Sequence, residues 1–161
     1  GEQAALRRKS RAEVVGSVAE LAAIKTDWDR LVESTPRNTI FQSYDWLMTW
    51  WEVHGVGRDL FVLRIIEDGR LIGLAPFMIS GEVGERTVEF IGTPDADYGN
   101  FIGPDPEKTV REAVNWLLDN DEKYDQIIKK RPPMALHSGG EPAQMVFEEK
   151  LLHKGKAIRV K

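Results

Sequence analysis

Cysteine is absent from the 161 residues, which excludes disulfides, thiol nucleophiles and every metal site built on thiolates. Histidine is scarce as well. His54, His137 and His153 stand far apart, without the close spacing that puts several imidazoles on one metal. No Gly-x-Ser-x-Gly run occurs, so nothing marks the nucleophile elbow of a serine hydrolase. No apolar run approaches the ~18 residues of a membrane-spanning helix, and the charged N-terminus lacks the apolar stretch of a signal peptide. A large charge of one sign is also missing. The 22 basic and 26 acidic residues leave a net charge of -4, with both signs mixed along the chain. That balance gives no pull toward nucleic acid or an anionic membrane. The basic run Arg7-Arg8-Lys9 with Arg11 reads as a solvated N-terminus. A cytoplasmic setting is the default expectation.

What is present fits one folded domain. Hydrophobic residues make up 42% and charged residues 30%, a balance that can bury a core. Residues 1–17 are mostly charged or small and are expected as a flexible lead-in to a single domain over 18–161. Leu21, Ile24, Trp28, Leu31 and Val32 recur at helical spacing and predict one helix over 18–34, ended by Pro36. Ser43 is a natural N-cap for a second helix over 43–54, whose face of Trp46, Leu47, Trp50 and Val53 is strongly aromatic. Leu60–Ile66 reads as a strand, Asp68-Gly69 as a hairpin turn and Leu71–Ile79 as the returning strand. Pro76 predicts a bulge or an edge there. Thr87–Gly92 is a third strand, with a short fourth near Asn100–Ile102. Asp105 and Pro106 open a helix to about residue 120, and Gln126–Ile128 follows as a parallel strand. A last helix is expected over 142–153. The closing Lys156–Lys161 has a strand pattern, which fits a piece of a longer chain and leaves an edge that a second copy could pair in a homodimer.

The order of these elements, with local sequence, carries a resemblance. Phe41-Gln42-Ser43-Tyr44-Asp45-Trp46-Leu47 with Trp50-Trp51, then Asp68–Pro76, then Phe90-Ile91-Gly92 with Asp97, Tyr98 and Phe101, resemble the GNAT acyltransferases associated with cellulose and exopolysaccharide biosynthesis, the CelD-like group. The likeness covers roughly residues 18–154. It implies an α/β fold of the acyl-CoA N-acyltransferase type, with helices on both faces of a mostly antiparallel, mixed α+β sheet. It also implies that this chain is the N-terminal half of a two-half protein, whose C-terminal GNAT half is its partner. The reaction implied is transfer of an acyl group from acetyl-CoA to an amine or hydroxyl on a small-molecule or sugar acceptor.

The superfamily holds the cofactor pyrophosphate on a glycine-rich loop at a helix start. The matching stretch here is Gly103-Pro104-Asp105-Pro106-Glu107, where prolines remove N–H donors and carboxylates repel phosphate. Acetyl-CoA is therefore expected to bind the other half, and this half to supply the acceptor side. Asp97 and Tyr98 are the expected catalytic residues, either of them as an acid/base or as a group that orients the acceptor, in a loop after a strand. Trp46, Trp51, Asn100 and His137 are the expected acceptor contacts, the indoles as flat walls and His137 as a proton-transfer group. The competing readings are core packing for the tryptophans, turn chemistry for Asp97 and Asn100, and a non-catalytic scaffold that has kept the fold and lost the phosphate loop.

Overall fold

A computed structural model describes residues 9–92, 101–129 and 158–160. The elements in chain order are β1 (Ser10–Val15), α1 (Val18–Ala23), α2 (Lys25–Ser34), a 3-10 turn (Ile40–Gln42), α3 (Tyr44–His54), β2 (Arg58–Glu67), β3 (Arg70–Ser80), β4 (Thr87–Phe90), α4 (Pro106–Asp119), β5 (Gln126–Lys129) and β6 (Ile158–Val160). The strands form one sheet in the order of the chain, β1 to β6. The first three junctions are antiparallel, and β4/β5 and β5/β6 are parallel. The mixed α/β class read from the sequence is thus the architecture observed.

The β2–β3 hairpin forms where the sequence marks it. Asp68 (φ 52°) and Gly69 (φ 77°) both take the left-handed region, the combination that matches the twist of a two-residue turn. Along β2, alternate side chains enter two separate cores. Leu60 and Val62 pack with Leu21, Trp28, Leu31, Leu47 and Trp50 from α1–α3. Phe61, Leu63 and Ile65 pack with Val110, Ala113 and Leu117 of α4. A strand buried on both faces reads as a continuous apolar run, and Leu60–Leu63 is one. Helices therefore cover both faces, α1–α3 on one and α4 on the other.

Three expectations need correction. The lead-in over 1–17 contains β1, whose six residues pair in register with Val62–Glu67. Its polar, alternating sequence hides a strand because, among the described residues, one edge is unpaired and each face is covered only in part, Val15 by one core and Ala12 by the other. The helix over 18–34 is two helices that meet at Ile24 (φ -108°, ψ 13°). The apolar spacing survives that break, since Leu21, Trp28 and Leu31 are all buried. Pro76 makes neither a bulge nor an edge. The irregularity lies at the Ile65/Ile66 step, where Ile72 is the extra residue. Pro76 sits in the inner strand β3, and its carbonyl accepts from Ile91 N–H (2.8 Å) just past the end of β4. Carbonyl and nitrogen of one strand residue point to the same neighbour, so the missing N–H costs one bond where β4 is already leaving the ladder.

The expected fourth strand reduces to a single antiparallel bridge, Leu74↔Ile102. The expected parallel strand is β5, and the closing strand pattern pairs with it as β6 (Ile127↔Ile158, Lys129↔Val160). The last helix expected over 142–153 lies outside the described residues.

β5 is seated by a charge clamp. Asp125 Oδ2 accepts from Gly84 N–H (2.9 Å), Arg86 N–H (2.8 Å) and Arg86 Nε (3.1 Å). The Arg86 side-chain hydrogen bond first, then its backbone N–H, holds the Asp125 carboxyl below its ordinary value. A carboxyl depressed in the folded state stabilises above its unfolded pKa, about 3.9, and loses that contribution as pH falls through the range below it. Asp125→Asn is therefore expected to unfold with a shallower loss of stability below about pH 4 than the parent. Urea unfolding between neutral and acid pH checks this, and parallel slopes would count against the clamp.

Candidate functional site

A sheet face that supports a core should be apolar. The face under α1–α3 departs from that rule at one end, where five polar side chains cross four adjacent strands. Arg58 (β2), Ser80 (β3), Thr87 and Glu89 (β4) and Gln126 (β5) share the face of Leu60, Val62 and Met78, as the alternation of their neighbours fixes. Ser80 Oγ donates to Glu89 Oε1 (3.1 Å), and Gln126 Nε2 donates to Thr87 Oγ1 (2.8 Å). Glu89 is 5% exposed and Thr87 6%. A carboxylate this buried is costly unless hydrogen-bonded.

The stripe lies beside the point where β4 and β5 part. Strands β4 and β5 pair only at Thr87↔Gln126 and Val88↔Ile127. Beyond that point, toward their C-terminal ends, Glu89 and Phe90 go one way while Ile128 and Lys129 pair with β6. Ligands of α/β sheets favour the crevice outside the carboxyl ends of parallel strands. Glu89 is the first residue of β4 past the fork. At the α3 end of the stripe, the Arg58 guanidinium lies over the Trp50 ring, 5.5 Å from its centroid, and Trp50 in turn meets the His54 ring at 4.9 Å.

The segment leading to α4 is tied from below. Gly103 N–H donates to Thr35 Oγ1 (2.8 Å), Gln42 Nε2 donates to the Phe101 carbonyl (3.2 Å), and Ile102 and Leu74 exchange two backbone bonds. Gly103 has φ 139°, and a Cβ there would lie 2.6 Å from the Ile72 carbonyl. Only glycine lets the two backbones approach so closely. At the start of α4, the Asp105 side chain accepts from Lys108 N–H (3.1 Å). Lys108 is itself ion-paired with Glu67. One of the N-terminal donors of this helix, and its nearby cation, thus have carboxylate partners within the chain.

Of the acceptor contacts expected from sequence, two are described. Trp51 is half-buried and lines an open groove of about 360 Å³ with Val18, Tyr44, Asp45, Met48, Thr49 and Glu52. Trp46 is not among the groove's lining residues. It packs edge-on against Phe41 at 5.0 Å. The groove and the polar stripe lie on different sides of α3, and share no residue. Asp97, Tyr98, Asn100 and His137 lie outside the described residues.

Glu89 was not among the residues singled out from sequence. It stands inside Thr87-Val88-Glu89-Phe90-Ile91, where a glutamate ordinarily reads as the solvent-facing position of a half-exposed strand. The signal available was contextual: a strand with neighbours on both edges and helices on both faces has no solvent side. Tyr124, another buried titratable group, is pushed well above the ordinary tyrosine range by burial first and by Asp121 and Glu122 next. Its hydroxyl donates to the Leu117 carbonyl (2.7 Å), a structural use.

Among the described residues no group of three or more His, Cys, Asp or Glu could hold a metal ion, and no helix is long and apolar enough to cross a membrane. Comparison with protein-family models, curated proteins and solved structures finds no match.

Proposed function

We propose that the chain is an acyltransferase-type domain of the GNAT kind and that it supplies the acceptor side of the reaction. The observation that carries this reading is Glu89, a buried carboxylate at the point where two parallel strands part. The element order supports it too, as an antiparallel β1–β4 meander continues through α4 into the parallel β5. In this reading the fork beyond Val88 and Ile127 admits the acyl group, and Glu89 removes the proton of the attacking amine or hydroxyl. The new C–N or C–O bond forms at the thioester carbonyl, the C–S bond breaks, and the proton leaves Glu89 to the departing sulfur. Ser80 holds Glu89 Oε1 in place.

The acyl donor, acetyl-CoA, belongs to the partner GNAT half in this proposal. Asp105 capping α4, together with Glu107 in its first turn, disfavours a pyrophosphate at that helix start. The same observation favours a second reading, a non-catalytic scaffold that retains the fold. The two are separated by calorimetric titration of acetyl-CoA into this chain, alone and with the partner half, in parallel with an assay of thiol release. The first reading expects no saturable heat from this chain alone, and transfer when both halves are present. Tight binding by this chain alone would overturn the placement of the donor, and binding without transfer by the pair would leave the scaffold.

A further inference from the structure

Every other partly buried arginine among the described residues meets a carboxylate. Arg64 meets Glu13 at 2.9 Å, and Arg86 meets Asp125 at 3.1 Å. Arg37, Arg70 and Arg111 are exposed to water. Arg58 is half-buried, yet among the described residues its guanidinium meets only the Met78 sulfur (Nη1–Sδ 3.6 Å) and the face of Trp50 (5.5 Å). A thioether is a weak acceptor and an indole face accepts none of the in-plane donors. The guanidinium thus lies over the Trp50 ring, and among the described residues its N–H groups meet no oxygen acceptor. That arrangement fits two parallel bonds to a planar oxyanion.

The position of Arg58 says which molecule brings that oxyanion. Arg58 touches Met78, and Glu89 accepts from Ser80. Met78 and Ser80 are alternate residues of one strand on one face, about 6.7 Å apart. The cation and the candidate base therefore stand over the same short stretch of β3. We infer that Arg58 binds a carboxylate of the acceptor, and that the acceptor is an amino- or hydroxy-carboxylate whose nucleophile reaches Glu89 while its acid end lies on Trp50. This rests on the acceptor-side reading above. It narrows that reading to an acidic acceptor, with Trp50 as the platform that orients Arg58.

The test is binding in the absence of any thioester, so that it stands or falls separately from acyl transfer. The probe is 4-aminobutyrate, which carries an amine and a carboxylate about one two-residue strand step apart. Butylamine and inorganic phosphate serve as counterparts, and the readouts are the indole N–H resonance of Trp50 and the Arg58 Nε–H resonance. Saturable shifts of both are expected with 4-aminobutyrate and not with butylamine. Arg58→Lys, which keeps the charge and loses the fork, is expected to weaken binding about tenfold. Arg58→Ala is expected to abolish it, and thermal unfolding of both variants shows that each is folded. Equal affinity for butylamine, unchanged affinity in Arg58→Lys and Arg58→Ala, or tighter binding of phosphate would each overturn the carboxylate assignment. A carboxylate that binds at Arg58 but is never acylated would leave this site standing and remove the acyl-transfer reading instead.

Discussion

Trp28→Ala is expected to destabilise the fold by about 3–5 kcal/mol, the usual cost of removing a large aromatic from a closed core. Trp28 is 0% exposed, sits edge-on to Tyr44 at 5.9 Å, and donates from Nε1 to the Gln42 carbonyl at 2.8 Å. Its loss opens a cavity between α2 and α3 and strands a buried acceptor. The damage does not stop there. Gln42 also holds the Phe101 carbonyl through Nε2, so a shift of the 3-10 turn loosens the segment that precedes α4. Trp28→Phe keeps most of the volume and loses the donor, and is expected to cost about 1–3 kcal/mol. Urea unfolding of the two variants checks the order. A Trp28→Ala protein within about 1 kcal/mol of the parent would show that this core relaxes far more than buried cores ordinarily do.

Much of the scaffold was legible in the residues because its signals are local. The Asp68-Gly69 turn needs two left-handed residues, and has them. Ser43 and Asp105 cap the helices that follow them, each accepting an N–H three residues on. Gln126–Ile128 was readable as parallel because a helix precedes it. Strand β1 was not legible, since a polar edge strand and a solvated lead-in have the same composition. The break at Ile24 was hidden by an apolar spacing that continues across it. The polar stripe escaped for a different reason. Arg58, Ser80, Glu89 and Gln126 are spread over 69 positions of the chain, and only the register of four strands brings them onto one face. Trp51 falls off the apolar spacing of α3 and lines the groove, whereas Trp50, on that spacing, is buried beside Arg58.

Glu89→Gln is the substitution with the largest expected effect on activity. The amide is close to isosteric and can still accept from Ser80, so the fold should tolerate it. It cannot take up a proton, which removes general-base assistance, a contribution of about 10²–10⁴ in rate. Because the change touches proton transfer and leaves the acceptor contacts in place, the loss should appear in kcat with KM little altered. Ser80→Ala removes one hydrogen bond that orients the carboxylate and is expected to cost about tenfold, in the same parameter. Thermal unfolding of both variants separates a catalytic loss from a folding one.

The most direct measurement is the rate of thiol release from acetyl-CoA by the paired halves, with 4-aminobutyrate as acceptor, for the parent and for Glu89→Gln at equal folded concentration. The acceptor-side account predicts acceptor-dependent release by the parent and a fall of at least about 10²-fold in the variant. Equal rates from the two proteins would contradict the account, because the buried carboxylate at the β4–β5 fork would then take no part in the reaction.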